Sequence, residues 1–75
     1  MERLPAISGD DLIKVLEKID YRVVRQKGSH VRLKVPGKPS LTVPRHKTIK
    51  PGLLLKILKD VGLFREEFSA LLKGG

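Results

Sequence analysis

The sequence predicts an α+β fold, a three-stranded antiparallel sheet with its helices packed on one face. Three observations carry that expectation. Apolar residues recur at helical spacing in Leu12, Val15, Leu16 and Ile19, and again in Leu54, Ile57, Leu58 and Val61. Between these stripes, Val31 to Val35 alternates apolar and basic residues with period two, as a half-buried antiparallel strand does. Gly28-Ser29 stands between two β-like runs and has the composition of a two-residue hairpin turn.

Taken in order, Met1 to Ile7 is a short lead-in. Ser8-Gly9-Asp10-Asp11 fits a capping box, with Ser8 as N-cap and an acid three residues on. A helix follows to about Ile19, its stripe inward with Ile13 beside it, and Lys14, Glu17, Lys18 and Asp20 outward. Tyr21 to Lys27 is rich in β-formers and makes the first strand. Val31 to Val35 is the second, with Arg32 and Lys34 on its polar face. An uninterrupted hairpin about Gly28-Ser29 sets Lys27 opposite His30, Arg25 opposite Arg32, and Val24 opposite Leu33 on the buried face. Pro36-Gly37-Lys38-Pro39 is a turn with strong breakers. Ser40 to Val43 is a short third strand with Leu41 and Val43 inward, ended by Pro44. Arg45-His46-Lys47 is a polar loop. Pro51 suits the first turn of a second helix, and Gly62 its C-terminal stop. Arg65 to Leu72 is a last short helix with Phe68, Leu71 and Leu72 on one side. Helix, three strands, helix, short helix is the order of a double-stranded-RNA-binding domain. In that arrangement the second sheet face stays open to solvent. Fold analogy alone does not set function.

With 75 residues, the chain is expected to be one domain, residues 1–75. A domain of this size buries about 60% of its unfolded surface and has little room for a deep pocket. The 40% hydrophobic content argues against disorder. The absence of cysteine excludes disulfides and thiolate metal sites and is compatible with a reducing cytoplasm, the expected location. No apolar run approaches the ~20 residues of a membrane span, and no signal-peptide core opens the chain. The formal charge of +8 points to an anionic partner: nucleic acid, a membrane surface or an acidic protein. Nucleic acid comes first, because the charge gathers in the middle of the chain. A membrane surface fits worst, because the basic residues share a face with a sheet and not with an apolar helix stripe.

The expected hairpin gathers Arg25, Lys27, His30, Arg32 and Lys34 on the open face. Like charges directly opposite one another cost stability, and a bound polyanion would relieve the repulsion. His30 and His46 are the only histidines. Imidazole exchanges protons near neutral pH. RNA carries its own nucleophile, the 2′-hydroxyl. Its cleavage then needs a base, an acid and cations for the charge that develops at phosphorus, and no metal or cofactor. His30 is therefore the candidate proton-transfer residue, with Lys27 and Arg32 steadying the phosphate. Arg25, Gly28, Ser29, Lys34 and His46 complete the candidate RNA-binding set, and His46 is alternatively a second proton-transfer group. Plainer readings stand beside these. A lone turn histidine is more often surface decoration than a catalyst. Gly28 is explained by the turn alone, and Asp10, Asp11 and Asp20 by capping and solvation. Tyr21 either stacks on a base or packs against the first helix. Two histidines with no nearby carboxylate pair make a poor metal-ligand set. A module that binds structured RNA without cutting it, and a small domain that binds an acidic protein, both remain open on the residues.

The runs Val24-Arg25-Gln26-Lys27-Gly28-Ser29-His30, Val43-Pro44-Arg45-His46, Ile49-Lys50-Pro51-Gly52 and Ile57-Leu58-Lys59 together resemble the HicA (YcfA-like) toxins of toxin–antitoxin pairs. The likeness spans nearly the whole chain. It implies a ribosome-independent endoribonuclease acting on mRNA, with a dsRNA-binding-like fold and His30 of the Gly-Ser-His motif as the catalytic residue. It also implies a co-expressed HicB antitoxin that covers the active face. Two departures stand out. Phe64 occupies a position where many members have Ser or Thr opening the last helix, which bears on capping and antitoxin contact. The stiff Pro36-Gly37-Lys38-Pro39 turn bears on which RNA is admitted.

Overall fold

A computed structural model describes residues 6–74. The elements run α1 (Gly9–Lys18), β1 (Arg22–Lys27), β2 (His30–Lys34), β3 (Leu41–Pro44), α2 (Pro51–Val61) and α3 (Arg65–Lys73). The strands form one antiparallel sheet in the order β1-β2-β3. The α+β class and the α-β-β-β-α-α order are those expected from the sequence. Of the lead-in, residues 1–5 lie outside the described residues.

Each helix stops and starts for a local reason. The Ser8 hydroxyl accepts the Asp11 N–H at 3.1 Å, and Asp10 and Asp11 place negative charge at the positive end of α1. α1 ends one residue short of Ile19, and Asp20 turns the chain with a left-handed φ of 74°. α2 opens on Pro51, whose missing N–H costs nothing at a first helical turn. It closes in a Schellman motif. Gly62 takes φ 77° and its N–H reaches the Lys59 carbonyl at 3.2 Å, while Leu63 N–H reaches Leu58 at 2.9 Å. At the start of α3, Glu67 Oε1 accepts the Phe64 N–H at 3.0 Å, which is one half of a capping box. Phe64 has no side-chain acceptor with which to supply the other half.

The core lies between the sheet and the helices. Val31, Leu33, Leu41 and Val43 cover the inner sheet face. Leu12, Val15 and Leu16 of α1, Leu54, Ile57, Leu58 and Val61 of α2, and Phe68 of α3 close over it. Full burial of each such side chain contributes about 1.5–3 kcal/mol relative to exposure. Ile7, Tyr21 and Ile49 join this core from outside the regular elements, and the Ile49 N–H donates to the Ile7 carbonyl at 2.7 Å. Tyr21 is 2% exposed, so it packs in the core and does not offer its ring to a base. Its hydroxyl is buried without a hydrogen-bond partner among the described residues. Burial, and then the Asp60 carboxylate, push the phenol above its usual pKa.

One expectation is corrected. The hairpin is not uninterrupted. Lys27 pairs with His30, Gln26 with Val31 and Arg25 with Arg32, but then Val23 pairs with Leu33 and Arg22 with Lys34. Val24 is the extra residue of a β-bulge, and it is 55% exposed instead of facing Leu33 from the buried side. The reason lies in the layer arrangement. β1 is an edge strand with all six residues exposed, whereas burial is concentrated in β2 and β3. No core position demands Val24, and an edge tolerates the disrupted ladder. Beyond the bulge the two faces of β1 exchange, so Val23 turns toward the helices and Arg22 toward the open face.

Candidate active site

The site is built on the β1–β2 turn. Gly28 takes φ 58° while Ser29 keeps a negative φ, the type II′ pattern that matches strand twist. Both turn carbonyls are held. Gln26 Nε2 donates to the Gly28 carbonyl at 3.2 Å, and the Arg45 backbone N–H donates to the Ser29 carbonyl at 2.7 Å. His30 begins β2 directly after this turn and pairs with Pro44 on β3.

The loop after β3 is tied in turn to α1. Gly9 N–H donates to the His46 carbonyl at 2.9 Å. Arg45 Nε donates to Asp10 Oδ1 at 2.7 Å, an exposed ion pair that contributes below about 1 kcal/mol. Gly9 is buried, and a Cβ there would overlap the Pro44 carbonyl oxygen and lie 2.8 Å from Arg45 Cα. Only glycine lets α1 approach this loop so closely. The hairpin turn, the β3 exit and the start of α1 are thus joined in series, and His30 sits at the junction.

On the open sheet face Arg25, Lys27, His30, Arg32 and Thr42 line a shallow basin of about 310 Å³. Four of these five are basic and none is acidic. A phosphate entering it meets cations from two strands and an imidazole at its rim. The Thr42 hydroxyl, opposite Arg32 in register, offers a neutral hydrogen bond. A larger hollow of about 410 Å³ lies on the helix side of β1, where Asp10, Lys14, Glu17 and Arg45 mix both charge signs and no histidine is present. Of the two hollows, only the basin has an imidazole in its lining. Among the described residues, no group of three His, Cys, Asp or Glu side chains gathers as a metal-ligand cluster. No helix among them is long and apolar enough to cross a membrane.

Of the residues singled out from sequence, Arg25, Lys27, His30 and Arg32 come together in the basin. Gly28 and Ser29 form the turn beside it. Lys34 lies on the same face one step beyond Arg32, where it pairs with Arg22. His46 does not line the basin. It is exposed in the loop after β3 and joined to α1 through its backbone carbonyl. Asp10 is more than a solvated first-turn acid, since it holds Arg45. Sequence reasoning missed Thr42, Arg22 and the Gly9 contact. Thr42 was readable, because the alternation Leu41-Thr42-Val43 turns it to the open face. Arg22 was hidden by the bulge, and Gly9 by a contact 35 positions away in the chain.

A family model described as the HicA toxin of bacterial toxin–antitoxin systems matches residues 9–63, more than half of the chain. These residues run from the glycine under the β3 exit to the end of the Schellman motif, and they include the whole hairpin and basin. No curated protein and no solved structure matches significantly. The match covers α1, the three strands, α2 and the Gly-Ser-His turn together, and the chain belongs to the HicA toxin family of bacterial toxin–antitoxin systems.

Proposed function

We propose that this toxin is a metal-independent endoribonuclease that cuts mRNA, with His30 as the proton-transfer residue. The observation that supports it best is the basin itself, where one imidazole stands among Arg25, Lys27 and Arg32 on a face open to a long polymer. The RNA 2′-oxygen attacks the adjacent phosphorus and gives its proton to a base. The bond from phosphorus to the 5′-oxygen breaks, and that oxygen takes up a proton. The products are a 2′,3′-cyclic phosphate and a 5′-hydroxyl, and water can open the cycle to a 3′-phosphate. His30 moves the proton at the reacting phosphate. Lys27, Arg25 and Arg32 stabilise the charge that builds on the non-bridging oxygens, in a site already organised before substrate arrives.

His46 follows Pro44, the cross-strand partner of His30, by two residues but stays outside the basin. This supports an RNA contact at the rim. His46→Ala should then raise KM more than it lowers kcat. Membership of the family supports an antitoxin partner. A HicB-like antitoxin that covers the open basic face would exclude RNA from it.

Incubating the purified protein with a long mRNA in EDTA, and analysing the product ends, tests this reading. Cleavage leaving cyclic phosphate or 3′-phosphate ends is expected. RNA that is bound but left intact would favour a non-catalytic RNA-binding module.

A further inference from the structure

Three cross-strand pairs on the open face each consist of two basic side chains: Lys27 with His30, Arg25 with Arg32, and Arg22 with Lys34. The third exists because of the bulge. Without Val24 as the extra residue, Lys34 would face Val23 and Arg22 would turn toward the helices. Alternate residues of a strand stand ~6.7 Å apart, so along β2 His30, Arg32 and Lys34 span ~13 Å, while on β1 the bulge puts one extra residue between the second and third rungs. None of the three strands contains an acidic residue, and the His30 imidazole is the one aromatic ring they carry. The rungs therefore have no counter-charge within the sheet, and like charges directly opposite destabilise the hairpin.

We propose that the Arg22–Lys34 rung is a phosphate subsite for a single-stranded RNA, two nucleotides from the phosphate held at His30. This rests on the endoribonuclease reading and extends it along the sheet. The equal spacing along β2, one cationic rung per step, suits a ligand that carries one charge per repeat. A phosphodiester chain has that property, and an acidic protein surface does not. Apart from the His30 imidazole, the strands carry no ring for bases to stack on, so the Arg25–Arg32 and Arg22–Lys34 rungs contact the backbone and hold RNA of any sequence in register. Arg25–Arg32 then takes the intervening phosphate.

The test is fluorescence anisotropy of the full chain with a labelled, fully 2′-O-methylated single-stranded RNA 12-mer of mixed sequence, titrated at several salt concentrations. The probe lacks the nucleophile and cannot be cut. Arg22→Gln with Lys34→Gln should weaken binding several-fold at low salt. It should also reduce the slope of log affinity against log salt by about 0.7, the share of one single-strand phosphate that the protein no longer neutralises. Lys56→Gln with Lys59→Gln removes the same charge from the exposed side of α2 and should leave the slope as it is. Without RNA, the Arg22/Lys34 variant should melt at a higher temperature than the parent, because the repulsive rung is gone. An unchanged slope, or an equal loss in the α2 variant, overturns the subsite. So does a variant that loses affinity for polyglutamate and keeps it for RNA, which assigns the rung to an acidic protein. The two readings fail separately. A reduced slope in a protein that never cuts ordinary RNA overturns only the endoribonuclease, and cleavage with an unchanged slope overturns only the subsite.

Discussion

Replacing Gly9 by alanine should destabilise the protein, although alanine is the better helix former. In an open helix the exchange gains up to about 1 kcal/mol. Here the new Cβ overlaps the Pro44 carbonyl oxygen and lies 2.8 Å from Arg45 Cα, both backbone atoms that no side-chain rotation can move away. Overpacking of this kind costs about 1–3 kcal/mol. If α1 retreats to relieve it, the bond from Gly9 to His46 lengthens. That bond contributes about 0.5–1.5 kcal/mol. Set against the gain in helix propensity, the net loss is about 1–3 kcal/mol, against a total of about 10 kcal/mol for a domain of ordinary stability. Gly52 supplies the control. It also sits in the first turn of a helix, but a Cβ there meets nothing within 4 Å, so Gly52→Ala should be neutral or stabilising by up to about 1 kcal/mol. Urea unfolding of both variants measures the contrast. If Gly9→Ala is as stable as Gly52→Ala, the packing of α1 against the β3 exit is not what fixes the loop, and the support of the His30 turn through Arg45 falls with it.

Other consequences follow from single groups. Tyr21→Phe removes a buried hydroxyl that has no partner among the described residues and should raise stability by about 1 kcal/mol or more in the same assay; a loss would mean that the hydroxyl is satisfied. The phenol is shifted upward in the folded state, so the unfolded chain gives up its proton first as pH rises past about 10. Stability should therefore fall above that pH, and the part of the fall due to Tyr21 should vanish in Tyr21→Phe. Phe64→Ser removes a side chain that is 72% exposed and supplies the missing acceptor of the α3 capping box, which should add about 0.5–2 kcal/mol and be visible as a higher melting temperature. Asp10→Asn leaves an exposed pair half-made and should cost no more than about 1 kcal/mol; a double-mutant cycle with Arg45→Ala reads the coupling directly.

Most of the fold was legible because its signals are local. The stripe in α1, the alternation of Val31 to Lys34 and the pairing of Pro51 with Gly62 each act within a few residues. The basin was legible for the same reason, since a two-residue turn dictates which side chains meet across a hairpin. The bulge at Val24 was not. It follows from β1 lying at the sheet edge, where nothing holds an apolar residue inward, and edge position is a property of the assembled sheet. The role of Gly9 was equally hidden. In the sequence it reads as part of a capping box, and its close approach to Pro44 exists only once α1 lies over β3. Ile7 and Ile49 were missed because each is a lone apolar residue with no period around it, joined to the other by a backbone hydrogen bond.

The central claim is that His30 moves the proton in RNA cleavage. Its most direct test compares the parent protein with His30→Ala on a long mRNA in EDTA, after urea unfolding has shown that both are folded. His30 is exposed and lies outside the core, so the variant should fold. If His30 is the proton-transfer residue, the parent leaves cyclic phosphate ends and the variant leaves the RNA whole while still binding it. Cleavage by the variant at the parent's rate, with the same ends, would contradict the assignment.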